Sequence, residues 1–233
     1  MIAVPMPAVG SILEAVAEHA PDVALTDVVS IKAEVAAVVA AHGLSRRFVG
    51  GHPMAGTAES GWTAGTADLF RDAVWVVTVD DGTDPEVWRQ VADLALDCGS
   101  VVVPAESREH DAAVARVSHL PHLLAEALAV GRRRWRSRAR SRCRLVPGRH
   151  AGRGDGTGLV DAMCEGNAEA LLVALDETLE VLGTAREQLA DRSTSELTRA
   201  GHAARTRYEQ RRRDRLARHS AGDDGWVEAF REA

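Results

Sequence analysis

Phe48 to Gly61 read FVGGHPMAGTAESG, and Ser118 to His122 read SHLPH. The first run sets His52 in a Gly50-Gly51 turn, followed by Pro53 and the pair Ala55-Gly56. Paired glycines let a backbone approach a neighbour closely, and a titratable residue in such a loop points to chemistry more than to packing. The second run places Ser118 and His122 four residues apart, on one face if the segment is helical.

Outward from the first run the chain alternates between short apolar runs and helical patterns. Residues 2–4 and 23–29 read as buried strands, residues 47–49 as a third that leads into the glycine turn, and residues 73–79 and 100–103 as two more. Between them, residues 7–20, 31–41 and 86–96 carry helical spacing, with Pro21 and Gly43 as stops. Such alternation predicts a mostly parallel sheet covered on both faces. After Pro104 the pattern turns helical. Residues 107–130 hold Val114, Val117, Leu120, Leu124 and Leu128 at 3–4 spacing, with Pro121 inside, so a kink is expected. Residues 159–189 read as one long helix with Leu172, Leu175, Leu179 and Leu182 in a stripe, either a dimer surface or intrachain core. Residues 205–218 read as a solvated helix and the last dozen as loose. The expected class is α/β then all-α, divided into residues 1–105 and 106–233.

At 233 residues, 45% of them hydrophobic, the chain is long enough to bury a sizeable core. No apolar run reaches the roughly 18 residues of a membrane span. Met1 to Val4 lacks a signal peptide's basic start, so a cytoplasmic protein is expected. The three cysteines, Cys98, Cys143 and Cys164, have neither disulfide-framework nor zinc spacing, and no metal is expected. The net charge of −6 hides an asymmetry: Gly131 to Arg153 contain ten arginines and no acid, which leaves −16 for the remainder.

The two opening motifs resemble the prephenate dehydrogenase family, the oxidative decarboxylases of tyrosine biosynthesis. The resemblance covers about residues 2–130 and 159–189. It implies the C-terminal part of a Rossmann-like nucleotide-binding domain, then a helical substrate and dimerisation domain. It implies NAD or NADP as cofactor, prephenate or arogenate as substrate, and a homodimer through the helical domain. By this resemblance His52 accepts the hydroxyl proton, a task suited to a histidine near its ordinary pKa. Residues 27–32, DVVSIK, resemble the family's DxGSxK segment, with Val29 in place of its glycine. There Ser30 is expected to bond the substrate hydroxyl or the histidine, or to act as an N-cap, and both can hold. Lys32 reads either as an anion partner or as solvated. Ser118 and His122 match the substrate-binding SxxxH, whereas His119 reads as structural. Glu59 stands one place after the acid of many relatives and is a candidate for its gating role. Pro5 and Asp27, at strand ends, are the candidates facing the cofactor crevice.

Two departures qualify the resemblance. GxGxxG occurs nowhere in the chain; the resemblance would place residues 1–5 on the fourth strand of such a domain, so the nucleotide-gripping half is expected upstream of Met1. Residues 131–158 stand where the family has an arginine-bearing loop. A one-base shift of GC-rich codons over residues 142–158 can read FRDGTR, so a local frameshift is expected. The alternatives are a nucleic-acid-binding arm, which is disfavoured, and a solvated linker. The competing function is a catalytically silent helical dimerisation or regulatory module.

Overall fold

The computed structural model describes residues 1–56, 61–62, 65–134 and 157–220. The chain divides into two compact units, residues 1–175 and 176–233.

In the first unit, Ile2 pairs in parallel with Asp27, and Leu25 in parallel with Phe48. The Ile2 N–H donates to the Thr26 carbonyl at 2.7 Å, and the Val49 N–H to the Leu25 carbonyl at 2.9 Å. The pairing at Ile2 ends early because Pro5 turns the chain into a short 3₁₀ turn, Met6–Ala8. Helices α1 (Val9–His19) and α2 (Ala33–Ala41) follow on either side of the Leu25 pairing. Val9, Leu13, Val35 and Val39 pack with Ile2, Leu25 and Phe48 into one core cluster.

A three-stranded sheet holds the second cluster, in the order β1 (Gly51–Pro53), β2 (Val74–Thr78), β3 (Val101–Ala105). Strands β2 and β3 are parallel, and the crossover between them is α3 (Pro85–Asp97), as parallel pairing requires. Asp84 starts that helix by accepting from the Glu86 and Val87 N–H groups, with Pro85 in the first turn. Trp75 and Val77 lie on one face of β2 and pack with Val87, Trp88, Val91 and Ala95 of α3. Each large side chain buried this way contributes about 1.5–3 kcal/mol. The pairing is mostly parallel, as expected, with one exception: β1 runs antiparallel to β2, with His52 opposite Val76. Among the described residues no helix lies between the two strands.

The expected kinked helix over residues 107–130 is three pieces: α4 (Ser107–Val114), a π-helical turn (Ala115–His119) and α5 (Leu120–Arg134). Pro121 has no N–H to give the Val117 carbonyl, and the wider π turn just ahead takes up that mismatch. Helix α5 continues four residues into the arginine-rich run. The remainder of that run, residues 135–156, lies outside the described residues, and so does the frameshift expectation.

The single helix expected over residues 159–189 is two, α6 (Thr157–Gly166) and α7 (Ala168–Ala190), separated by buried Asn167. At Gly166 a β-carbon would lie 2.3 Å from Glu34 Oε2 and 2.4 Å from Ile31 Cδ1, so α6 ends against the start of α2, and a larger residue there would have to push those two side chains aside. The leucine stripe is also shifted. Leu171 and Ala174 join Ala115 and Leu120 in a third cluster, whereas Leu172, Leu179 and Leu182 are about half exposed.

In the second unit the latter part of α7 is followed by α8 (Ser195–Ser220), longer than the helix expected over residues 205–218. Gln188 Nε2 donates to Glu196 Oε2 at 2.7 Å. The expected loose terminus, residues 221–233, lies outside the described residues. No helix among the described residues is long and apolar enough to cross a membrane.

Candidate active site

The Gly50-Gly51 turn is glycine for a steric reason. A β-carbon on Gly51 would lie 2.6 Å from the Asp27 carbonyl oxygen and 3.0 Å from Thr26 Oγ1 and Trp75 Nε1. The turn is held by polar bonds as well. Gly51 N–H donates to Asp27 Oδ1 at 3.0 Å, and Gly50 N–H to Thr78 Oγ1 at 2.9 Å.

Lys32, the only lysine in the chain, is 1% exposed. Its ammonium donates to Asp27 Oδ2 and, at 2.7 Å, to the Gly51 carbonyl. Burial pulls its pKa below the ordinary lysine value, opposed by the attraction of Asp27 and Asp111. Of the two readings of Lys32, the structure gives the anion partner. The Asp27 carboxylate is fully buried and taken up by Lys32, Gly51 and the Val29 N–H. Together they brace the turn that carries His52.

His52 meets His110 of α4. Nδ1 of His52 lies 2.8 Å from Nε2 of His110, the rings edge to face at 77°. Nδ1 of His110 lies 2.8 Å from Asp111 Oδ1. Asp111 does a second job: its two oxygens accept from the N–H groups of Lys32 and Ala33, both at 2.8 Å, and so cap α2 from another helix. Burial would raise the Asp111 pKa, but the bonds from His110, Ala33 and Lys32 outweigh it and hold the carboxyl below its usual range. Burial also lowers His52, aided by His110, Lys32 and His119, to about 3, away from the ordinary histidine value expected from the sequence. In this structure His52 is neutral at neutral pH and able to accept a proton.

Behind Asp111, Asn167 Nδ2 donates to the Asp111 carbonyl at 2.8 Å and lies 3.2 Å from His119 Nδ1. His119 is fully buried, and burial lowers its pKa to about 4, partly against the attraction of Asp111.

The other expected residues are placed as follows. Ser30 is half-buried just before α2 and makes no hydrogen bond with the described residues. It is not the cap of that helix, which Asp111 caps. Ser118 and His122 sit one turn apart and half-buried, the His122 Nδ1–H given to the Ser118 carbonyl at 2.8 Å. Pro5 is exposed beside the Ile2 pairing. Glu59 lies outside the described residues.

His110, Asp111 and Asn167 are the site-forming residues that sequence reading missed. A His-Asp pair four residues before Val114, on the apolar face of α4, was the available signal; nothing local marks Asn167.

A dinucleotide needs backbone N–H groups for its pyrophosphate. The first turns of α2, α3 and α4 already hold the carboxylates of Asp111, Asp84 and Asp80, the last through Ser107 N–H at 2.9 Å. The first turns of those three helices therefore offer no free grip for a pyrophosphate. Among the described residues no group of three or more His, Cys, Asp or Glu is arranged to hold a metal ion.

The profile described as the prephenate dehydrogenase nucleotide-binding domain matches residues 1–104. Prephenate dehydrogenase of Bacillus subtilis is 37% identical over 82 residues, covering 35% of this chain and 22% of that enzyme. A crystal structure from Corynebacterium glutamicum, of a protein assigned as a prephenate dehydrogenase, is 46% identical with a TM-score of 0.82. It covers 89% of this chain, which in turn covers 68% of that one. Prephenate dehydrogenase of Aquifex aeolicus, in complex with hydroxyphenyl propionate and NAD+, shares the fold at 24% identity and a TM-score of 0.77, over 89% of this chain and 74% of that one.

Proposed function

The chain belongs to the prephenate dehydrogenase family, and we propose that it serves NAD(P)-dependent oxidative decarboxylation of prephenate to 4-hydroxyphenylpyruvate. The observation that carries this reading is His52. It is a neutral imidazole whose Nδ1 is engaged by His110, on a turn braced by Lys32 and Asp27. Such a ring offers its other nitrogen, Nε2, which makes no hydrogen bond with the described residues, to a substrate hydroxyl. A bound nicotinamide would supply the hydride acceptor. His52 takes the hydroxyl proton, and Ser30 is poised to orient that hydroxyl. Ser118 and His122 hold a substrate carboxylate, the His122 ring being oriented by its bond to the Ser118 carbonyl. Glu59 is assigned the gating role. Residues 1–105 serve the nucleotide side and residues 106–233 the substrate side. We place the protein in the cytoplasm, as a homodimer that uses the exposed Leu172, Leu179 and Leu182.

Prephenate with NAD+ or NADP+ should give 4-hydroxyphenylpyruvate and reduced nucleotide in the wild-type protein, with His52→Asn as the control. Arogenate in the same assay tests the amino analogue. The second reading, a silent dimerisation or regulatory module, is favoured by one observation: α2, α3 and α4 all have their first turns occupied by carboxylates. Nucleotide binding measured by calorimetry separates the two. Micromolar binding with turnover supports the enzyme, and dimerisation without either supports the module.

A further inference from the structure

Three side chains from two segments distant in sequence form a line: His52 after the glycine turn, then His110 and Asp111 on α4. His110 and Asp111 are 3% and 4% exposed, so neither meets solvent, while His52 is half-buried and keeps one edge open. The polarity of the line follows from its far end. An ionised carboxylate only accepts, so the His110 nitrogen 2.8 Å from Asp111 must carry the hydrogen. A neutral His110 then has a lone pair on Nε2 and can only accept there. The hydrogen in the 2.8 Å contact between the rings therefore belongs to His52 Nδ1, and the His52 lone pair is left on Nε2.

We propose that His110 and Asp111 are positioning residues that fix the tautomer and rotation of His52, so that its Nε2 is the proton acceptor. The inference rests on the reading of His52 as the base. When a substrate hydroxyl gives its proton to Nε2, the O–H bond breaks and an N–H bond forms, and a bound nicotinamide would accept the hydride from the same carbon. The imidazolium keeps its Nδ1–H on His110, and the Asp111 carboxylate beyond it offsets the new charge. Burial and the Lys32 ammonium oppose the protonation of His52, and the Asp111 carboxylate favours it, so its attraction grows as the base works.

The helix cap gives the device its fixed origin. Asp111 Oδ1 is shared between His110 and the Lys32 N–H, and Oδ2 takes the Ala33 N–H, so the carboxylate cannot rotate without uncapping α2. Asn167 holds the backbone of the same residue.

The test uses ¹⁵N-histidine NMR of the whole chain near neutral pH, with His52 assigned by loss of its signals in His52→Asn. Wild type should show His52 and His110 both protonated at Nδ1 and bare at Nε2. His110→Leu should move the His52 proton to Nε2, whereas His110→Gln, whose amide oxygen can accept, should keep it on Nδ1. In prephenate turnover His110→Leu should lower kcat about 10–100-fold at near-constant KM, within the ~10²–10⁴-fold worth of a general base, and His110→Gln should recover most of it. A packing role alone would make the two variants equal in both readouts and would overturn the proposal. So would a wild-type His52 protonated at Nε2, or a doubly protonated His110, and these are read even if His110→Leu fails to fold. If wild type does not turn over prephenate, the functional reading falls, and the tautomer measurement still decides the relay.

Discussion

The carbonyl oxygen of Asp27 stands 2.6 Å from the point a β-carbon on Gly51 would occupy. Both sides of that contact are backbone, so neither can swing aside. Gly51→Ala should therefore cost stability at the upper end of the ~1–3 kcal/mol typical of overpacking. Gly50→Ala meets only side chains, Thr78 at 3.0 Å and Lys32 at 3.2 Å, and should cost less. Urea midpoints of the two variants check this; equal losses would mean that the turn relaxes as a whole.

Lys32→Met should destabilise the fold by about 3–5 kcal/mol, because it strands the buried carboxylate of Asp27 and frees the Gly51 carbonyl. Lys32→Met with Asp27→Leu should recover part of the loss, since an uncharged pair carries no desolvation penalty. Chemical denaturation of the single and double variants measures the difference. A double variant weaker than either single one would show that the pair itself is strongly favourable.

Acid should weaken the fold earlier than carboxylate protonation alone requires. His52 and His119 have folded pKa values of about 3 and about 4, against about 6.5 when unfolded. Between those values the unfolded chain binds protons that the folded one refuses, so stability rises with pH there. The contribution is complete above about 6.5 and is lost as pH falls towards 4 and 3. Asp111, held below the ordinary carboxylate range, adds its loss lower still. Thermal scans should show Tm falling from pH 6.5 downwards, with a smaller fall in His119→Leu. A Tm flat from pH 7.5 to 4.5 would contradict it.

In a preparation that oxidises prephenate, His52→Asn should lower kcat by about 10²–10⁴-fold with little change in KM, since asparagine keeps a hydrogen bond but cannot accept the proton. Ser118→Ala and His122→Ala should act mainly through KM, as groups that hold substrate in ground and transition states alike. Steady-state kinetics on the three variants separates the roles; near-normal kcat in His52→Asn would leave that residue only its turn.

The glycine turn and the α/β order were legible because their signals are local. Gly50-Gly51-His52 declares itself within three residues, and α3 declares itself through Asp84, Pro85 and its apolar spacing. What stayed hidden is held by distant partners. His110 meets a residue 58 positions earlier, and Asp111 caps a helix 79 positions away. Lys32 gives no sign in sequence that it is buried, and Asp27, five residues before it, looked like a strand-end ligand rather than a counter-ion. The break at Asn167 was invisible because the residue is chosen for its bonds to Asp111 and His119, not for its helix propensity.

Capping α2 from α4 also bears on how the chain reaches its native state. A helix of nine residues is marginal alone, and its leading N–H groups find their acceptor only after a loop of nearly eighty residues has closed. Contacts between residues so distant in sequence slow folding, so the α2 cap depends on closure of the whole intervening segment. A protease cutting between β3 and α4 would then not release an intact amino-terminal half. It would unravel α2 and the turn together.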